Sequence, residues 1–258
     1  DLIAGSISNS QTICYNTAPA LLVTSSLPTG GTGSFTYQWQ NSVNNSSWNN
    51  ISGATAETYS PGVMTSSLYY RRSETSGSCG TVHTNSVQII VNNQLVAGSV
   101  KSDQTICYGT PPSIFLTNTY PTGGTGSFSY QWQKLIGSSW NDIASATSET
   151  YTSGNLTTTT YFRRSETSAA CGTVNSNQIT VTVRNQFFPG VIGSSQTVNY
   201  GAVPAELVSV QSATGGAGSF TYQWQNSLDN STWSNITGAI SESFQPPALT
   251  VKKYYKRL

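Results

Sequence analysis

The chain has 258 residues, only 8% of them charged, and a formal net charge of +1. Charge this sparse, with no basic run, excludes the clustered lysines and arginines that a nucleic-acid surface needs. Aromatic residues make up 11% of the chain and sit among Ser, Thr, Asn and Gly, which argues for folded cores rather than disorder.

No apolar stretch is long enough to span a bilayer, so no membrane insertion is expected. The segment YQWQ begins at Tyr37, Tyr130 and Tyr222, a period of about 92 residues, the size of one small β-sandwich. The boundaries read from this period are 1–94, 95–186 and 187–258, the last copy lacking its final strand. The opening DLIAG matches the tails of the linkers NNQLVAG (92–98) and RNQFFPG (184–190), so a further domain is expected ahead of Asp1. Leu258 falls just after YYKR, where the first copy continues into a Cys-containing turn and the strand VQIIV. A piece of a longer array is therefore expected.

In chain order, Leu21–Thr24 is a short apolar strand, and PTGG at 28–31 is a turn. Phe35, Tyr37 and Trp39 then alternate with Thr36, Gln38 and Gln40, the period-two pattern of a half-buried strand. SPG at 60–62 and GSCG at 77–80 are further turns. Val87, Ile89 and Val91 form another alternating face, matched by Ile179, Val181 and Val183. No segment keeps a helical period. The expected fold is all-β: a tandem array of immunoglobulin-like Greek-key sandwiches. The short apolar junctions Leu95–Val96 and Phe187–Phe188 suggest docked neighbours and an elongated, semi-rigid rod.

Trp39, Trp132 and Trp224 have the look of the central core tryptophan of such a sandwich. Tyr69, Tyr161 and Tyr254 open a later strand and are expected in the core, in a tyrosine-corner role.

Four cysteines fall at matched positions, Cys14 and Cys107 in QTICY, Cys79 and Cys171 in the turn after the YYRR-type strand. Repeat logic favours Cys14–Cys79 and Cys107–Cys171, one disulfide per copy. Each would close about 65 residues and stabilise its copy by roughly 4 kcal/mol. The third copy has Asn199 at the first position and must hold without the bridge. A zinc site competes poorly, because no two cysteines lie close and the one histidine is His83. Disulfides imply an extracellular, oxidising location.

Trp48, Trp140 and Trp233 recur among Ser and Asn, where an exposed ring could stack on a sugar or serve as a second core residue. Glu57, Glu149 and Glu242 recur with Arg72, Arg164 and Arg257, and structural cross-strand ion pairs are expected rather than a pair of catalytic acids. The glycine-rich loops Gly30–Gly33, Gly123–Gly126 and Gly215–Gly218 lack the following Lys and helix of a phosphate loop, and read as turns. His83 has no paired nucleophile, and no clustered carboxylates suggest calcium. No enzyme activity, cofactor or metal is expected.

The pattern QTICxxTxP…PTGGTGSFxYQWQ…YYRR…CG is similar to Ig-like, PKD-like repeats of secreted cell-surface proteins of Bacteroidota. It resembles the repeats of giant gliding-motility adhesins exported by the type 9 secretion system. The resemblance implies export, surface attachment and a stalk or adhesive role; it carries no catalytic residues to these positions. A surface polysaccharide or other surface ligand is a possible partner, besides neighbouring repeats of the same chain. The alternative is a carbohydrate-binding accessory region of a secreted polysaccharide-degrading enzyme. A third idea is that the incomplete last sandwich accepts a strand from a neighbour.

Overall fold

In the computed structural model, residues 1–101, 103–193 and 195–258 are described. The first repeat contains β1 (Ser6–Ser8), β2 (Gln11–Ile13), β3 (Val23–Ser26), β4 (Thr36–Ser42), β5 (Asn49–Asn50), β6 (Leu68–Thr75), β7 (Thr81–His83) and β8 (Val87–Val91). β1 pairs with β3, while the larger sheet runs β2-β8-β6-β4-β5 with β7 added on β6. The chain thus leaves one sheet after Ser8 and joins the other at Gln11. Asn9 absorbs the change with a φ of 91°, a region that asparagine tolerates better than most residues.

The core between the layers is Ile7, Leu22, Trp39, Met64, Tyr70, Val87 and Ile89. Trp39 is fully buried, and its indole N–H donates to the Ala56 carbonyl at 2.9 Å. A buried tryptophan supplies much of a small core's apolar area, provided this one polar atom is satisfied.

The second repeat contains β9 (Ser99–Lys101), β10 (Gln104–Ile106), β11 (Leu116–Thr119), β12 (Ser129–Ile136), β13 (Ser139–Asp142), β14 (Thr160–Thr167), β15 (Thr173–Asn175) and β16 (Ile179–Val183). Its pairings are the same, β9 with β11, and β10-β16-β14-β12-β13 with β15 on β14. The third repeat contains β17 (Val191–Ile192), β18 (Ser209–Gln211), β19 (Trp224–Ser227), β20 (Ser234–Asn235) and β21 (Tyr254–Arg257). There β17 pairs with β18, and the other sheet is β20-β19-β21. The chain is therefore an all-β tandem array of immunoglobulin-like sandwiches, as its alternating segments lead one to expect.

Compact packing divides the chain into one unit of Asp1–Lys101, Phe115–Tyr151 and Phe162–Ile179 and a second made of the remaining described residues. The junction residues are used by the repeat that follows them. Val96 bridges to Thr122 and Phe188 to Thr214, just as Ile3 bridges to Thr29. These bridges lay each junction across a glycine-rich loop. A Cβ on Gly30, at φ 77°, would collide with the Asp1 carbonyl, so this turn admits only glycine.

Candidate functional site

The inward face of β6 is unusual, because Tyr70, Arg72 and Glu74 all point into the sandwich. Arg72 and Glu74 are both fully buried, with Nη2 of Arg72 2.6 Å from Oε1 of Glu74. Burying two charges is costly unless every donor and acceptor finds a partner. Here each does: Arg72 Nε also donates to Glu74 at 3.1 Å, Nη1 donates to Thr24 Oγ1 at 2.6 Å and to the Glu57 carbonyl. The other carboxylate oxygen of Glu74 accepts from the Gly5 amide at 2.7 Å, and the Arg72 guanidinium lies 4.3 Å over the Tyr37 ring.

The second repeat duplicates the arrangement with Arg164, Glu166, Thr117 and the Gly98 amide. In the third repeat Arg257 donates to Ser209 Oγ at 2.7 Å and to the Glu242 carbonyl, over Tyr222. In the first two repeats the cluster staples an N-terminal segment, β3 or β11, and β6 or β14 together, with both charged side chains fully buried.

This corrects the expected ion pairs. Arg72, Arg164 and Arg257 meet Glu57, Glu149 and Glu242 through the backbone carbonyls of those residues, not their carboxylates. Two of the arginines pair instead with Glu74 and Glu166, two residues along the same strand. Sequence reasoning passed over these acids, although residues i and i+2 of a strand share a face. Tyr69, Tyr161 and Tyr254 are likewise corrected. They are half-buried, and the inward position is taken by the next residue, Tyr70 in the first repeat and Phe162 in the second. One step along a strand reverses the face, and a phenylalanine has no hydroxyl to form a corner.

Trp132 and Trp224 are fully buried like Trp39 and donate to the Ser148 and Ser241 carbonyls, each at 3.0 Å. Trp140 on the edge strand β13, and Trp48 and Trp233 just ahead of β5 and β20, are half-buried, each with one ring face covered by a cation. The cations are Arg71 at 4.4 Å, Arg163 at 4.5 Å and Lys256 at 4.3 Å from the respective ring centres. Gln40 accepts from Arg71 and donates to Asn50, completing a polar strip beside the ring. Gln133 does the same between Arg163 and Asp142. His83 lies on β7 with its pKa pushed down, first by partial burial and then by the charge of Arg71.

The disulfide is the larger correction. Cys14 is bonded to Cys171, 157 positions along the chain, whereas Cys79 and Cys107 carry exposed free thiols. The register supplies the reason. β2 runs parallel to β8, with Ile13 beside Val91, so Cys14 leaves the sheet at the end where β8 finishes. β6 runs antiparallel to β8, with Leu68 beside Ile89, so Cys79 lies beyond the opposite end. The eight residues of β6 alone separate the two ends by about 24 Å. A disulfide needs Cα atoms within about 7 Å, a condition met by Cys14 and Cys171 at 5.2 Å. The bond therefore joins the first repeat to the second, within a single compact unit.

Among the described residues, no three His, Cys, Asp or Glu side chains come together to hold a metal, and no helix is long and apolar enough to cross a membrane.

No curated protein sequence matches the chain. Several solved structures match the chain at low identity. The three N-terminal domains of the bacteriophage RB49 highly immunogenic outer capsid protein are 13% identical, with a TM-score of 0.40, over 98% of this chain and 86% of that one. The FN1–FN3 domains of chicken CNTN1 are 12% identical, with a TM-score of 0.31, over 99% and 91%. Extracellular domains 3–5 of Drosophila OTK are 14% identical, with a TM-score of 0.28, over 90% and 83%. At the level of sequence, residues 3–93, 96–185 and 188–258 each match one family, described as the domain of unknown function DUF8696, and the chain belongs to that family as three tandem copies.

Proposed function

We propose that the chain is a non-enzymatic, extracellular stalk or adhesive region of a large bacterial surface protein. The observation that carries this reading is the Cys14–Cys171 bond, which ties one copy of a repeated module to the next. A bond that fastens neighbours together serves an array whose copies act jointly, and it persists in an oxidising compartment. The first two modules spend their buried charges on their own architecture, which suits a spacer. In its finer form the reading places the array in a surface adhesin of the gliding type, exported by type 9 secretion. The QTICY and PTGGTGSF motifs support that form.

The test is thiol mapping of the protein recovered from the cell surface without reductant. Cys14 should be recovered linked to Cys171. Recovery of both as free thiols would sink the extracellular placement.

A second reading, a carbohydrate-binding accessory region, rests on the three half-buried tryptophans with their adjacent amide strips. It expects retention on an insoluble polysaccharide that is lost in the triple variant Trp48→Ala, Trp140→Ala, Trp233→Ala. Equal elution of wild type and variant from cellulose, chitin and the cell's own surface polysaccharide removes it. Adhesion at these sites would be weak per copy and multiplied by copy number.

A further inference from the structure

The outer face of the larger sheet repeats one polar line in every copy. In the first repeat Asn50 of β5, Gln40 of β4 and Arg71 of β6 stand directly opposite one another across three strands. Trp48, two residues before Asn50, lies under the Arg71 guanidinium at 4.4 Å. The third repeat has Asn235, Gln225 and Lys256 in the same register, with Trp233 under the ammonium at 4.3 Å. The second has Gln133, Arg163 and Trp140, but Asp142 where the others have asparagine.

The line holds its cation and leaves most of it unspent. Arg71 donates through Nε, 2.7 Å from Gln40 Oε1, and among the described residues neither Nη donates within the protein. The adjacent Arg72 uses all three of its nitrogens. Arg163 is held as Arg71 is, by Gln133 through Nε. Partial burial pulls the pKa of Arg71 and Arg163 down, without removing a charge that arginine keeps at physiological pH. A cation already fixed by a ring and an amide loses little further freedom on meeting an anion.

Charge and neighbours identify the occupant. The strands of the larger sheet in the first repeat contain one acid, Glu74, and it points inward to Arg72. The outer face therefore carries a cation and no acid. Tyr69, Ser73, Gln38 and Gln40, which surround Arg71 on that face, each bear a hydroxyl or an amide. A protein partner needs an apolar centre to bury. A hydroxyl-rich chain with carboxylates matches the cation and the amides together.

We propose that this face binds a polysaccharide bearing carboxylate groups. A carboxylate accepts from the free guanidinium nitrogens of Arg71 in the first repeat, and from Lys256 in the third. The tryptophan positions the cation instead of stacking on the sugar. Asn50, whose amide oxygen accepts from Gln40, offers its N–H groups to a sugar hydroxyl. In the second repeat Asp142, two strands or about 10 Å from Arg163, repels the same ligand. The inference rests on the carbohydrate-binding reading and names its ligand class.

The experiment titrates the whole 258-residue chain with an oligogalacturonate and, separately, with its fully methyl-esterified form, which has the same backbone without the charge. Affinity is read by calorimetry and location by the indole N–H resonances. The acid form should bind, more weakly as salt rises, and shift Trp48 and Trp233 but not Trp140. The double variant Arg71→Gln, Lys256→Gln should bind at least about tenfold more weakly, with its fold checked by unchanged Trp39 and Trp224 indole signals. Asp142→Asn, which installs the asparagine of the other two repeats, should bring the Trp140 resonance into the response. Equal binding of the esterified form, unchanged affinity in the double variant, or a Trp140 signal unmoved in Asp142→Asn overturns the proposal and leaves the carbohydrate-binding reading standing. Binding of neither oligosaccharide overturns the proposal and counts against that reading as well.

Discussion

The first and third repeats share an inner frame and differ in what surrounds it. Trp39 and Trp224 are both fully buried. The preceding glutamine donates to the same loop in each, Gln38 to Ile51 at 2.7 Å and Gln223 to Ile236 at 3.0 Å. These contacts link residues 13 apart in sequence. The Arg72 cluster depends on distant partners instead, Glu74 reaching the Gly5 amide 69 residues away. In the third repeat Arg257 keeps its contacts to Ser209 and Glu242 but sits half-buried. The frame around the tryptophan is set by residues close in sequence, while the charged staple depends on partners far along the chain.

The largest test of this contrast removes one charge of the staple. Glu74→Ala leaves Arg72 buried and unpaired and should destabilise the first repeat by about 3–5 kcal/mol. Arg257→Ala, at a half-buried site, should cost about 1 kcal/mol or less. Urea unfolding followed by hydrogen exchange in each repeat separates the two, and equal losses would erase the distinction.

Next in size is the bridge. Cys14→Ser should lower the stability of the first two repeats by about 2–4 kcal/mol and leave exchange in the third unchanged.

A smaller effect comes from alkali. Burial, aided by neighbouring Tyr59, pushes the Tyr70 phenol up to about 12. The neutral phenol is therefore favoured by folding. Stability is intact below about pH 10, where an unfolded tyrosine ionises, and falls as pH rises from there to about 12. Tyr70→Phe should flatten that slope in the first repeat. The second repeat, with Phe162 at this place, should show no slope from it. Phenolate absorbance during the titration checks both.

The smallest is Trp48→Ala. Loss of its stack with Arg71 should cost about 0.5–1 kcal/mol, with a similar loss for Trp233→Ala under Lys256. A much larger loss would mark these rings as core residues.

The sandwich was readable wherever inward positions are apolar, as at Phe35–Gln40 and Val87–Val91. It became misleading on β6. There the inward register passes from Tyr70 to Arg72 and Glu74, so the polar residues hide the alternation and Tyr69 looks like the buried partner. The cysteine pairing lay out of reach for another reason. Matched positions in each copy suggest one bond per copy, and only strand direction puts Cys14 and Cys79 at opposite ends of the sheet. The Ser and Asn neighbours of Trp48 left an exposed ring and a second core residue both open, and the ring lies between the two, half-buried. They did not suggest the covering cation, since Arg71 arrives from a strand 23 residues later.

The Cys14–Cys171 bond also changes what a broken backbone means for this chain. It encloses 156 residues, one fewer than its separation of 157, including the glycine-rich turns Gly30–Gly33 and Gly123–Gly126. A protease that cuts once anywhere inside that loop leaves both fragments in one molecule, held by the bond and by their mutual packing. A single cut at the matching turn of the third repeat, Gly215–Gly218, lies outside the loop, so the part beyond it is held by packing and hydrogen bonds alone. A nick between Cys14 and Cys171 is bridged covalently; one in the third repeat is not.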